Sequence, residues 1–99
     1  MQSLETIKNS LASFFRDKPI IKAWIFGSYA RGEATPDSDI DILVDFDMEN
    51  YPSLLKHTGY ILELEDILGV KIDLVPNDSL YNFIRNSIEH EKILIYERN

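Results

Sequence analysis

Phe26-Gly27-Ser28-Tyr29-Ala30-Arg31-Gly32, followed across a polar connection by Ser38-Asp39-Ile40-Asp41-Ile42-Leu43-Val44, is the stretch on which the reading of this chain turns. Its first half follows an apolar run, Ile20-Ile21-Lys22-Ala23-Trp24-Ile25-Phe26, whose nearly continuous hydrophobicity predicts a buried, central strand. Gly27 and Ser28 then fall where a strand ends and a short helix begins, a place where backbone N–H groups face an anion. The second half alternates. As a strand it sets Asp39 and Asp41 on one face and Ile40, Ile42 and Val44 on the other.

Two carboxylates held about 6 Å apart repel by roughly 2–3 kcal/mol at an effective dielectric near 20. A divalent cation relieves that repulsion, and aspartate oxygens suit a hard ion such as Mg2+, which takes one or two protein carboxylates and completes its shell with water and substrate phosphates. A phosphate-facing turn beside paired carboxylates therefore points to a nucleotide–metal site. Taken singly, each piece has a plainer reading: a Gly-Ser turn that is only a turn, an Asp-x-Asp that is surface charge or a weak Ca2+ contact, and an Asp73 that is a strand-edge acid.

Outward from this stretch, Leu4, Ile7, Leu11, Phe14 and Phe15 recur at three- and four-residue steps and predict an amphipathic helix capped by Ser3. Tyr29 to Arg31 make a short helix ended by Gly32, with Tyr29 a packing residue, and residues 33–38 form a loop turning at Pro36 and Asp37. The Asp39 strand fades around Asp45 to Asp47. A second long helix runs from about Pro52 to Leu68, presenting Leu54, Leu55, Ile61, Leu64, Ile67 and Leu68, with Gly69 at its end and a weak point at Gly59. Val70 to Val75 is a third strand stopped by Pro76, with Asp73 on the face opposite Ile72 and Leu74, so that a third carboxylate joins the first two from a neighbouring strand. Asp78 or Ser79 caps a last helix carrying Leu80, Phe83, Ile84 and Ile88, and Lys92 to Tyr96 closes the sheet at an edge. His57 and His90 read as solvent-facing helix residues without a ligand role. The expected fold is α/β (α+β), in the order αβαβαβαβ, as one domain over residues 1–99.

Composition narrows the function. Seventeen acidic residues against ten basic ones give a net charge of −7, which repels a polyanion and argues against extended nucleic-acid binding. The absence of cysteine removes disulfides and thiolate metal sites and is compatible with a reducing compartment. There is no leader-like segment and no apolar run of membrane-spanning length, so the expectation is a soluble cytoplasmic protein with no membrane contact.

Gly27-Ser28, ten intervening residues, Asp39, one residue and Asp41, with Asp73 in a following strand, resemble position by position the nucleotidyltransferase signature of the DNA polymerase beta superfamily. The short chain and the form Gly27-Ser28-Tyr29-Ala30-Arg31-Gly32 are similar to the minimal nucleotidyltransferases, the MNT antitoxin-like proteins encoded beside HEPN-domain toxins. The resemblance covers nearly the whole chain. It implies a mixed sheet flanked by helices, one or two Mg2+ ions held by Asp39, Asp41 and Asp73, and transfer of a nucleoside monophosphate from ATP or another nucleoside triphosphate. It also implies an acceptor tyrosine on a cognate HEPN toxin. Gly27 and Ser28 are then the phosphate contacts and Arg31 a further candidate, with an exposed structural arginine as its alternative. The same sequence leaves room for a different class of function, a binding antitoxin that neutralises its partner by steric cover alone.

Overall fold

The computed structural model describes residues 2–99, apart from the side chain of Phe83, so the expected contribution of Phe83 to the last helix lies outside the described residues. Four strands form one mixed sheet. α1 (Leu4–Asp17) begins at Ser3, whose Oγ accepts from the Thr6 N–H at 3.1 Å, and leads into β1 (Ile20–Phe26). A four-residue helix, α2 (Ser28–Arg31), precedes β2 (Ile40–Phe46), and α3 (Leu54–Leu68) crosses over to β3 (Ile72–Pro76). α4 (Asn82–Glu91) and β4 (Ile93–Glu97) complete the expected αβαβαβαβ order, with single 3-10 turns at Met48–Asn50 and Asn77–Ser79. The strands lie in the order β3-β2-β1-β4, parallel between β2 and β3 and antiparallel elsewhere, which places β1 inside the sheet and β4 at an edge as its composition predicts.

The period of two decides what each face does. Ala23 and Ile25 of β1, Ile40, Ile42, Val44 and Phe46 of β2, and Ile72 and Leu74 of β3 are buried beneath α1 and α3, where they meet Ile7, Leu11, Phe14, Phe15, Leu64 and Leu68. Burial of each such side chain is worth about 1.5–3 kcal/mol, so this face supplies most of the driving force for folding. The opposite face carries Trp24, Leu43 and Val75, covered by Leu80 and Ile88 at the α4 side, and then runs out into the acidic residues. Among the described residues no helix is long and apolar enough to cross a membrane.

Five details depart from the sequence reading. Leu54 and Leu55 are 87% and 84% exposed, because the inward side of α3 at that end is built by His57 and Tyr60 packing on Phe46. His57 is therefore not solvent-facing: its Nε2 donates to the Leu74 carbonyl at 2.9 Å. Ser53, not Pro52, opens α3, and the helix runs uninterrupted through Gly59 to Gly69. Pro76 belongs to β3, tolerated because that strand is an edge and its missing N–H interrupts no second ladder. Neither Asp78 nor Ser79 caps α4; both lie in the 3-10 turn, where Ser79 Oγ donates to the Pro76 carbonyl, and Tyr81 holds the cap position without a side-chain cap bond.

Candidate active site

β1 delivers the chain to Gly27 with φ +72° and ψ −150°, a conformation that side-chain-bearing residues rarely adopt. The second reason for glycine is contact, since a methyl group at this position would be driven into the Asp41 carboxylate. α2 follows, its Arg31 N–H bonded to the Gly27 carbonyl at 3.1 Å, and Gly32 ends it in the left-handed region. Tyr29 is buried in the main core, which fixes the short helix to the sheet. The loop returning to β2 is held by reciprocal bonds, Ser38 N–H to the Thr35 carbonyl at 3.0 Å and Thr35 N–H to Ser38 Oγ at 2.9 Å, and these bring Asp37, Ser38 and Asp39 to the turn.

Asp39 immediately precedes β2, and Asp41 is its second residue. In the parallel register Asp41 lies opposite Asp73, and in the antiparallel one opposite Phe26. The register sets Asp73 beside Asp41, and Asp39 lies two residues before it, so both carboxylates are close enough for their charges to act on Asp41. Burial comes first, then the Asp73 and Asp39 charges, in pushing the Asp41 carboxyl up to about 6; the Arg31 charge opposes the shift and the Glu91 charge adds to it. An anionic oxygen cluster that resists its own ionisation fits a hard divalent cation, which would restore the charged form. Among the described residues no group of three or more His, Cys, Asp or Glu side chains stands ready to enclose a metal ion.

A cleft of about 820 Å³ lies over this acidic end of the sheet. It is lined by Gly27, Ser28, Arg31, Asp39 and Asp41 of the sequence-predicted set, whereas Asp73 stands beside Asp41 without lining the cleft. The sequence reading missed the other wall: Phe26 of β1, Ile84, Ser87, Ile88 and Glu91 of α4, and Asp37 and Ser38 of the loop. Asp37 could have been found by extending the acid alternation backwards from Asp39. Nothing in the sequence ties Glu91 to Gly27, 64 residues away, yet the Gly27 N–H donates to Glu91 Oε1 at 3.0 Å. Arg31 donates through Nε to Glu33 at 2.8 Å and through Nη1 to Glu91 Oε2 at 3.1 Å, and these two bonds raise its pKa, so it is an ion-paired arginine at the cleft and not a free one.

A Gly-Ser turn and an Asp-x-Asp strand around one open cleft of a mixed sheet, with a neighbouring-strand aspartate beside Asp41, define a nucleotidyltransferase-like protein. Comparison with known proteins places the chain within that class: the sequence profile described as Nucleotidyltransferase domain matches residues 4–95. The protein adenylyltransferase MntA of Thermococcus cleftensis is 38% identical over 96 residues, covering 96% of this chain and 95% of the relative. The chain therefore belongs to the nucleotidyltransferase family and is an enzyme of the transferase class. Two solved structures share the fold. One is a toxin–antitoxin structure with AMP-PNP (TM-score 0.78, 21% identity, 93% of this chain and 74% of that one). The other is a tri-AMPylated HEPN toxin of Shewanella oneidensis in complex with an MNT antitoxin (TM-score 0.73, 18% identity, 96% of this chain and 73% of that one).

Proposed function

We propose that residues 1–99 act as a single minimal nucleotidyltransferase domain that moves AMP from ATP onto a protein hydroxyl, a tyrosine of a cognate HEPN toxin, and so serves as a cytoplasmic antitoxin. The observation that carries this reading is the β2–β3 register, which sets Asp41 beside Asp73 with Asp39 one step earlier at the same cleft. The named relative supports protein as acceptor, and the net charge of −7 weighs against a nucleic acid in that role.

Asp39, Asp41 and Asp73 are the residues that would hold Mg2+. Bound there, one or two ions would supply neutralisation of the triphosphate and of the leaving pyrophosphate. Without such ions the cleft is self-repelling, since among the described lining residues four carboxylates, Asp37, Asp39, Asp41 and Glu91, share one cation, Arg31. The chain's own work is positioning, as in other phosphoryl transfers. Gly27 lets the backbone approach the phosphates, Ser28 offers them its hydroxyl and N–H, and Arg31 adds its guanidinium. Asp73, adjacent to Asp41, exposed and outside the cleft lining, takes the acceptor's proton. The acceptor oxygen then bonds to the α-phosphorus as the bond to the bridging oxygen breaks, and pyrophosphate leaves with that electron pair.

Incubation with ATP, Mg2+ and a cognate HEPN toxin tests this directly. Intact-mass spectrometry should show the partner heavier by about 329 Da per adenylate, with no gain when Asp39→Asn replaces the wild type. A partner that stays unmodified yet is fully inhibited in a stable complex, even with Asp39→Asn, would establish the steric antitoxin instead.

A further inference from the structure

Glu91 closes the last turn of α4, and its carboxylate turns into the cleft. One oxygen accepts from the Gly27 N–H at 3.0 Å and the other from Arg31 Nη1 at 3.1 Å. A backbone N–H of the Gly-Ser turn and a guanidinium are the groups that a phosphate oxygen would engage, and carboxylate and phosphate satisfy such donors in the same charge-assisted way. We propose that Glu91 is a built-in occupant of the polyphosphate subsite, so that nucleotide binds by displacing its carboxylate and the affinity for nucleotide is set by that exchange. The inference rests on the nucleotide-binding reading given above.

Four features of the site favour exchange over a permanent tie. The carboxylate adds negative charge to a cleft that already holds Asp37, Asp39 and Asp41, so its place there opposes the local field. A glutamate in the final turn of a helix also opposes the helix dipole, so the stability of α4 does not account for it. Arg31 keeps its bond to Glu33 Oε1 at 2.8 Å through Nε, which leaves the guanidinium anchored while Nη1 changes partner. The Glu91 side chain is 22% exposed and reaches solvent, giving it somewhere to go.

Calorimetric titration of wild type, Glu91→Gln and Glu91→Asp with Mg2+–AMP-PNP, and separately with inorganic tripolyphosphate, tests the exchange. Glutamine keeps the shape and loses the charge; aspartate keeps the charge and draws it back by one methylene. Both should bind each probe roughly three- to tenfold more tightly than wild type, the scale of one lost charge-assisted competitor. The Gly27 amide resonance should shift on tripolyphosphate binding in the wild type and shift less in Glu91→Gln, where its starting partner is already weakened. Wild-type binding with unchanged or weaker binding by variants that melt normally overturns the proposal, weaker binding making Glu91 a positioning residue for Arg31. Failure of wild type and both variants to bind either probe overturns the nucleotide-site reading itself.

Discussion

The two faces of the sheet are written on the same strands and do opposite things. On β2, Ile40, Ile42 and Val44 are fully buried against α1 and α3, while Asp41, one residue from each neighbouring isoleucine, faces Asp73 across the parallel ladder. One face gathers apolar area from three strands and two long helices; the other is covered only around Trp24, Leu43 and Ile88 and leaves its acidic end to the cleft. The difference teaches that the chain's stability and its chemistry are interleaved at single-residue spacing yet energetically separable. The repulsion among the acids is carried by a face that contributes little to folding.

The widest separation should come from neighbouring substitutions. Asp41→Asn is expected to lower transfer by more than about a hundredfold, since even partners one step removed from a metal are worth 10–100-fold, while the metal-free protein melts at the same temperature or higher. Ile42→Ala should do the reverse, costing about 3 kcal/mol in urea unfolding and leaving nucleotide affinity near wild type when the folded fraction is measured. If Asp41→Asn unfolded the protein, or Ile42→Ala abolished binding without loss of stability, the two faces would not be separable.

Gly27→Ala probes the point where the faces touch. Its positive φ and the Asp41 carboxylate both reject a methyl group, so the turn must shift. We expect a loss of about 1–2 kcal/mol and a larger proportional loss of nucleotide affinity, read by denaturation and calorimetry on the same sample. A pH titration gives the smallest effect. Because the folded-state pKa of Asp41 is raised from 3.8 to about 6, the folded protein binds more protons than the unfolded chain between those values. Stability without metal therefore falls as pH rises through that window and is level above it, by about 1 kcal/mol once solvent screening of a half-exposed group is allowed for. Asp41→Asn should flatten that slope, and its persistence in the variant would move the effect to another acid.

What the sequence made legible follows from how local each signal is. The apolar run of β1 and the alternation through β2 and β3 name their own faces, so the face of Asp41 and of Asp73 is legible from pattern alone, whereas the register that sets them opposite each other comes only from the fold. α3 misled because leucines at Leu54 and Leu55 look like a buried stripe, whereas the rings of His57 and Tyr60 pack on Phe46, His57 edge-on and with its Nε2 bonded to the Leu74 carbonyl. The cap of α4 was misplaced because Asp78 and Ser79 satisfy a 3-10 turn and the Tyr51 hydroxyl instead. The α4 wall of the cleft, Glu91 above all, depends on how a late helix docks against the first strand, and no spacing in the chain encodes that.

The sheet order carries a consequence for synthesis. β1 is among the first elements made, yet one of its two hydrogen-bonding edges waits for β4, which is the last strand in the chain. Until residues Ile93–Glu97 have been translated, that edge is an open template for pairing with another nascent chain. α4 precedes β4 by a single residue, so the cleft gains its second wall at the same moment as the edge is sealed. A ribosome that stalls before β4 therefore releases a chain with its acids in sequence but with one edge of β1 unpaired, sticky rather than active, and a candidate for degradation.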